Sequence, residues 1–408
     1  MVIAALLFLG TFGEFFFSRT RVPDLVWMVC AGILAGPLLG IISPEVLEPI
    51  VPYFGAIALT VILSGGAFRL RISDVISAAP RGIFLGLWGF IFSVAAMCLF
   101  FWAATALEFV RPVPFLTWVM VGTIVGGTSS IVIMPTLALC NVPASVARVL
   151  EVESSATDAL TVVVAMVMIN LVVSGSVDFS LPIISLGREL GLGVALGVVC
   201  AAVLVPGIPT MRDKPHGYTL FLGSMLGLYA VTQSLHGNGA MAVLVSSLLL
   251  GNAGSIVPRL FPGAQGHIFI ATSTTSLMQD QISFLIKSFF FFLIGLMFPT
   301  DLRIIALSGV AALAIFAMRI PAVILSMWNQ KLRKKEFWFL CTAMPRGLAA
   351  GVLATLPLHY GVPGVENLAP AIFAIIVLTV LIFAMGFSIV SRLRDDDSLE
   401  LPATDNPD

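Results

Sequence analysis

The sequence predicts an all-α, polytopic membrane protein with about 13 transmembrane helices. Three observations lead to this fold class. The composition is strongly apolar, because 59% of the 408 residues are hydrophobic, 11% are charged and the mean hydropathy is +1.06. Soluble domains carry roughly 25% charged residues. The apolar residues form a series of long stretches, and the basic residues between these stretches lie mostly on one side of the membrane.

An apolar stretch of about 20 residues crosses the hydrocarbon core of a bilayer. The first stretch is interpreted as a membrane helix and not as a signal peptide, because it has no basic beginning and no small-residue cleavage site. Applied along the chain, the length criterion predicts spans near residues 2–17, 23–43, 54–69, 82–107, 114–139, 147–173, 188–206, 217–234, 238–252, 282–299, 303–328, 337–358 and 367–391.

The basic residues between the spans predict the orientation. With the N-terminus outside, fifteen Lys and Arg residues lie on the inner side, and three, Arg111, Arg188 and Arg303, lie on the outer side. Inner loops of membrane proteins are enriched in Lys and Arg, so we expect the N-terminus outside and the C-terminus in the cytoplasm. Residues 1–395 are predicted to form the transmembrane domain, and residues 396–408 a short, acidic, disordered tail.

Two predicted spans contain residues that interrupt helices. The fifth has the pair Gly126–Gly127, and the twelfth has Pro345 and Gly347 on either side of Arg346. Glycine weakens a helix and proline removes a backbone hydrogen bond. Unwound backbone at this depth is tolerated only where it lines a cavity.

The two interrupted spans have matching places in the order of spans. They are the fifth of six in each of two units, at about 1–175 and 215–392, and a linker helix at about 188–206 would make these units inverted repeats. Interrupted spans in matching places of two halves indicate the binding site of a transporter.

Charged residues inside membrane spans are expensive, at about 2.5–3.5 kcal/mol for Asp at the helix centre, so they face a partner or water. Glu153 and Asp158 are five residues apart, about 140° around a helix, and need not share a partner. We expect Glu153 to form a structural ion pair with Arg346, which leaves Asp158 to face the cavity between the interrupted spans. The set of charges to be explained is Glu153, Asp158, Lys287, Arg319 and Arg346.

Burial disfavours the charged form of a carboxyl group, so a proton and a monovalent cation would compete for Asp158. Hydroxyl oxygens close in sequence would complete a cation site, although each hydroxyl can instead bond to a carbonyl of its own helix. These hydroxyls belong to Thr157, Thr128, Ser129 and Ser154.

Two basic residues inside spans have open roles. Lys287 either reaches towards the membrane surface or titrates near Asp158. Arg319 is expected to anchor helix packing or to bridge to an acid.

The residues around this acid set resemble the cation:proton antiporter superfamily, in its branch of NhaP-type antiporters and animal sodium/proton exchangers. "ESSATDA" is similar to the family's "ESLLNDA", and "MPRGLAAGVLA" to its "GLRGAVALALA". "AGILAGPLLG" and "LSGGAFRLRISDV" resemble two further family segments, and Arg319 matches the arginine of an "LAR" pattern. The resemblance implies that Asp158 binds the cation and the proton, that Ser154 helps to coordinate the ion, and that Glu153 pairs with Arg346.

The sequence departs from the family pattern at several site positions. The family's Asn-Asp pair is Thr157-Asp158 here, the acid before a Gly-Gly pair is Ser64, and the family's "TDP" is "TSS", with Ser129 in place of an aspartate. The "TSS" run is closer to the "SST" of potassium/proton efflux antiporters. The transported ion is therefore left open between Na⁺ and K⁺.

The resemblance also implies an architecture and a mode of action. It implies inverted repeats with crossed, interrupted fifth and twelfth helices, a mobile core domain and a dimerisation domain, and a homodimer in a prokaryotic inner membrane that works by an elevator-like movement. No cofactor is implied. One working carboxylate predicts one-for-one, electroneutral exchange of a cation for a proton, although Lys287 leaves electrogenic exchange open.

Other functions are weaker alternatives. A sodium-coupled symporter of a small organic anion would need two cation sites and a polar pocket. An intramembrane aspartyl protease would need a second aspartate opposite Asp158, and a serine protease a buried histidine. A sensor without transport is a third alternative. The net charge of −1 disfavours binding to nucleic acid, which requires a concentrated basic face.

Overall fold

A computed structural model of the chain describes residues 24–42, 51–69, 72–139, 142–174, 180–207, 216–260, 273–328, 330 and 332–392. The regular structure within these ranges is helical. In chain order the α-helices are α1 (Asp24–Ile33), α2 (Val51–Arg69), α3 (Ile72–Ala106), α4 (Phe115–Ile124), α5 (Ser130–Leu139), α6 (Ala144–Ser174), α7 (Ser180–Leu204), α8 (Gly217–Ser234), α9 (Gly239–Gly251), α10 (Ala253–Leu260), α11 (Ser273–Leu296), α12 (Leu302–Ser326), α13 (Lys334–Thr342), α14 (Leu348–His359) and α15 (Leu368–Ser391).

The predicted spans from 23–43 onwards each coincide with one or two of these helices. The first predicted span, 2–17, and the tail, 396–408, lie outside the described residues. α3 begins about ten residues before the predicted span, and α10 occupies a predicted loop, because helical turns that contain charged residues extend beyond the uncharged apolar stretches. Within the described part of the chain, the helical segments long and apolar enough to cross a membrane are Pro80–Ala106, Ser145–Val173, Gly187–Leu204, Leu277–Leu296, Leu302–Ser326 and Leu368–Ser391.

Both expected interruptions are present. The fifth predicted span consists of α4 and α5, which are separated by residues 125–129, and the twelfth consists of α13 and α14, which are separated by residues 343–347. The first gap contains the glycine pair Gly126–Gly127, and the second contains Pro345 and Gly347. Both gaps are buried, so their backbone groups need partners inside the protein.

The interrupted helices lie within a bundle built on the long helix α3. This helix packs along α12, α6 and α4, while α15 packs against α12 and against both halves of the second interrupted span. Elsewhere α1 packs along α11, and α9 packs between α2 and α7. The last helix also contacts α13 through aromatic rings, since the ring centre of Phe387 lies 5.0 Å from that of Phe339.

Candidate cation site

Helix α6 carries Glu153 and Asp158, and it presents them to different neighbours. The side chain of Glu153 is fully buried and faces Arg319 on α12, whereas Asp158 is partly exposed and faces Ser130 at the start of α5. The separation of five residues along the helix is the reason for the two directions. The two carboxylates therefore belong to two separate polar clusters.

The first cluster is a buried ion pair between Glu153 and Arg319. The guanidinium donates to both carboxylate oxygens, with its Nη1 to Oε1 and its Nη2 to Oε2 at 2.7 Å. The Nε of Arg319 donates to the carbonyl oxygen of Leu340 on α13 at 3.1 Å. The two-point contact fixes the orientation of the guanidinium, so the pair ties α6 to α12 and α13.

The expected pair between Glu153 and Arg346 is therefore wrong. Both arginines are buried close to α6, and a sequence gives no rotation angle for the helices that carry them. The close approach of Arg319 also depends on Gly89 of α3, since a Cβ atom at that position would lie 2.9 Å from Nη1 of the guanidinium.

Arg346 instead connects the two interruptions. Its Nη1 donates to the carbonyl oxygens of Gly126 and Gly127 at 3.1 and 2.7 Å, just beyond the end of α4. In return, the N–H of Ser129 donates to the carbonyl oxygen of Pro345 at 2.9 Å. The unwound segments thus satisfy each other's backbone groups, and a permanent cation lies at the negative end of the α4 dipole.

The arginine is held in this position by two hydroxyl groups. Its Nη2 donates to Oγ of Ser93 on α3 at 2.7 Å, and its backbone N–H donates to Oγ1 of Thr379 on α15 at 3.1 Å.

Two of the expected ligand hydroxyls belong to the ion-pair cluster. Oγ1 of Thr128 lies 3.5 Å from Oε1 of Glu153 and 3.2 Å from Oγ1 of Thr157. Thr157 also accepts from the N–H of Thr128 at 3.2 Å. Ser154 donates to the carbonyl oxygen of Glu151 at 3.3 Å, within its own helix. In the structure these three hydroxyls bond to groups other than Asp158.

The second cluster lies in a cleft that contains Asp158. Oδ2 of this residue accepts a hydrogen bond from Oγ of Ser130 at 2.8 Å, and Ser129 lies on the same wall. The space between the lining atoms is about 480 Å³, which includes solvent at the mouth of the cleft. The other described lining residues are apolar or glycine, namely Leu59, Ile62, Leu63, Gly66 and Ala67 of α2, Leu244 of α9, and Leu348 and Ala349 of α14.

This arrangement provides one carboxylate and two hydroxyl groups in an otherwise apolar cleft. Hard oxygen ligands suit small, hard cations. Among the described residues that line the cleft, Asp158 is the one ionisable group. The cleft can therefore hold one proton or one monovalent cation at the carboxylate.

Lys287 lies on α11, with its Nζ 5.2 Å from the centre of the Phe284 ring. It is not among the described residues that line the cleft.

Comparison with known proteins decides the family. Residues 3–393 match the model of a family described as the sodium/hydrogen exchanger, transmembrane. The chain belongs to the sodium/hydrogen exchanger family. This membership confirms the resemblance found in the sequence, and a transporter family agrees with the expectation that the chain is not an enzyme.

Members of the exchanger family from bacteria and archaea are similar along most of the chain. The K⁺/H⁺ antiporter NhaP2 of Shewanella oneidensis is 26% identical over 397 residues, which cover 94% of this chain and 64% of the relative. The Na⁺/H⁺ antiporter 1 of Methanocaldococcus jannaschii is 28% identical over 347 residues, which cover 83% of this chain and 78% of the relative. The chain thus spans about 64% of the length of the Shewanella relative.

The fold is that of a solved exchanger. The structure of the sodium proton antiporter MjNhaP1 from Methanocaldococcus jannaschii aligns with a TM-score of 0.75 at 23% sequence identity, and covers 96% of this chain and 95% of that one.

Sequence reasoning missed several groups that the structure places around the exchanger's clusters. Ser130 is the direct partner of Asp158, and Ser93 and Thr379 hold Arg346. Gly347 lies against Ser129, so closely that a Cβ atom would overlap its side chain. The sequence did hold a signal for Ser130, because it is the last hydroxyl of the "TSS" run that follows the glycine pair.

Proposed function

We propose that the protein is a secondary active antiporter that exchanges Na⁺ or K⁺ for H⁺ at Asp158 by alternating access. The observation that supports this is the placement of the Asp158 carboxylate in a cleft between the interrupted helices, where it accepts a hydrogen bond from Ser130 and Ser129 lines the same cleft. The neighbouring acid, Glu153, has its own permanent partner in Arg319. Asp158 is thus the acid available for a transported ion.

The exchange follows from competition at one group. The ionised carboxylate attracts either a proton or a cation, and each neutralises it. A neutralised site is less expensive to expose to the other side of an apolar barrier than a charged one. Since one carboxylate takes one charge in either form, we propose electroneutral, one-for-one exchange.

The cation is sodium or potassium. The two relatives described above carry different names, since the Shewanella protein is named a K⁺/H⁺ antiporter and the Methanocaldococcus protein an Na⁺/H⁺ antiporter. The cleft supplies one carboxylate and two neutral hydroxyls, and Ser129 stands where the resembled pattern has an acid. A low ligand charge is compatible with a large cation that loses its water readily.

The proposed architecture has about 13 spans in two inverted repeats, with the N-terminus outside and the C-terminus inside. Helix packing supports it. If the two repeats are superimposed, α3 corresponds to α12, α2 to α11 and α1 to α9. α3 contacts its counterpart α12, and the contact between α2 and α9 corresponds to the contact between α11 and α1. We further propose that the protein is a homodimer in a prokaryotic plasma membrane. Its core domain moves by an elevator-like mechanism, and the exchange serves pH homeostasis.

A sodium-coupled symporter of an organic anion is less well supported. Its second cation site would need further acidic or carbonyl ligands, and the cleft has one acid among its described lining residues. Its anion would need a basic or polar pocket, whereas most described lining residues are apolar, among them Leu59, Ile62, Leu63 and Leu244.

The test is proton flux in proteoliposomes after addition of Na⁺, K⁺, Li⁺ or choline. We expect Na⁺ or K⁺, and not choline, to move protons in the wild type, and Asp158→Asn to abolish the movement. Asp301→Asn is the matched control, because Asp301 is an exposed residue that caps α12 and asparagine also caps helices well. Exchange by the Asp158→Asn variant at the wild-type rate would overturn the proposal.

A further inference from the structure

Ser130 occupies a special place beside the acid. It is the first residue of α5, directly after the unwound segment, and its hydroxyl donates to Oδ2 of Asp158 at 2.8 Å. A hydrogen bond to a carboxylate stabilises the charged form. Its position at the N-terminal end of α5 acts in the same direction, because helix N-termini favour negative charge.

The hydroxyl group suits each state of the acid. It carries one donor and two acceptor lone pairs, and it rotates. Beside an ionised carboxylate it donates. Beside a protonated carboxyl it can accept, and beside a bound cation it can turn its lone pairs towards the ion. A proline, which the resembled "TDP" pattern has in this place, has no such group.

No other ionisable side chain lines the described part of the cleft, so the hydrogen bond from Ser130 acts directly on the Asp158 carboxylate. The described lining residues from α2, α9, α14 and α5 contain no other ionisable side chain. The charges in the neighbouring cluster have partners of their own, since Glu153 pairs with Arg319, and Arg346 is bonded to main-chain carbonyls.

We infer that Ser130 is a third site residue, which keeps the empty Asp158 ionised and supplies an oxygen ligand to the bound cation. It thereby sets the pH range of exchange. This inference rests on the proposed function and adds to it the group that tunes the competition between cation and proton.

The test compares Ser130→Ala with Ser130→Thr in proteoliposomes across a pH series. Loss of the donor makes the proton harder to remove, so the pH of half-maximal exchange should rise in the Ala variant by about one unit. At a fixed pH where protons still compete, its KM for Na⁺ or K⁺ should rise by up to about tenfold. The Thr variant keeps the hydroxyl and should stay close to the wild type.

Thr136→Ala is the matched control. Thr136 lies on the same half-helix, is buried, and donates to the carbonyl oxygen of Val132 instead of to the site. It should keep the wild-type pH profile. The inference is overturned if Ser130→Ala exchanges with an unchanged pH profile and KM, or if the Thr or control variant shifts as far as the Ala variant.

A second measurement tests the inference even if the Ser130→Ala variant no longer transports ions. NaCl or KCl should raise the melting temperature of the detergent-solubilised protein, and the pH midpoint of this effect should be higher in Ser130→Ala than in the wild type. An equal midpoint would overturn the inference. A wild type that moves no protons with any cation would contradict the proposed function, and the melting experiment would still test Ser130 separately.

Discussion

The substitution Arg319→Gln leaves Glu153 as an unpaired carboxylate in the interior of the bundle. In the wild type this carboxylate receives two charge-assisted hydrogen bonds from Arg319, and the same guanidinium holds Leu340 of α13. The exposed fraction of the two side chains is 3% for Arg319 and 0% for Glu153. Water therefore cannot replace the lost partner.

Removal of one partner from a buried ion pair costs about 3–5 kcal/mol, because a buried charge is left uncompensated. We expect Arg319→Gln and Glu153→Gln each to lower the free energy of unfolding by about this amount. The double variant contains no unpaired charge, so its loss should be well below the sum of the two single losses.

The assay is reversible unfolding in mixed micelles, with Arg303→Gln as the matched control. Arg303 is exposed and donates to the carbonyl oxygen of Phe109 at 2.7 Å, and its loss should lower the free energy of unfolding by less than about 1 kcal/mol. The reasoning is refuted if the single variants at the pair behave like this control, or if the losses in the double variant simply add.

Three further predictions concern the interruptions and the lysine. Arg346→Gln should lower the free energy of unfolding by about 2–4 kcal/mol and reduce proton flux, because the carbonyl groups of Gly126 and Gly127 lose their donor; unchanged flux would count against the link between the interruptions. Gly347→Ala should raise the KM for the cation several-fold by displacing Ser129, whereas Gly223→Ala on α8 meets open space and should not; equal KM values would contradict this. Lys287→Gln should keep exchange that does not respond to an imposed membrane potential, and a potential-dependent flux in the wild type alone would show that Lys287 takes part.

Those features of the fold that depend on local sequence could be predicted. The apolar stretches predicted most helices, and the glycine pair and Pro345 predicted both interruptions, since helix breaking is a property of the residues themselves. The start of α3 at Ile72 was not predicted, because its first turns contain Asp74 and Arg81 and lie outside the long uncharged apolar stretch.

The site could be predicted only in part. The different directions of Glu153 and Asp158 follow from helix geometry, but the partner of Glu153 depends on how α12 and the second interruption are rotated and packed. The resemblance to the family favoured Arg346 as this partner, whereas the packing of the helices selects Arg319. Ser130 was missed because a hydroxyl group gives the same signal whether it bonds to its own helix, as Ser154 does, or to an acid.

The central claim is that one cation and one proton compete for Asp158, and the protons released by purified protein test it most directly. A pH indicator would record proton release when Na⁺ or K⁺ is added to the detergent-solubilised protein at low buffer concentration. We predict release of about one proton for each bound cation in the wild type and in Asp301→Asn, and none in Asp158→Asn. Equal release by wild type and Asp158→Asn, or cation binding without release, would contradict the account.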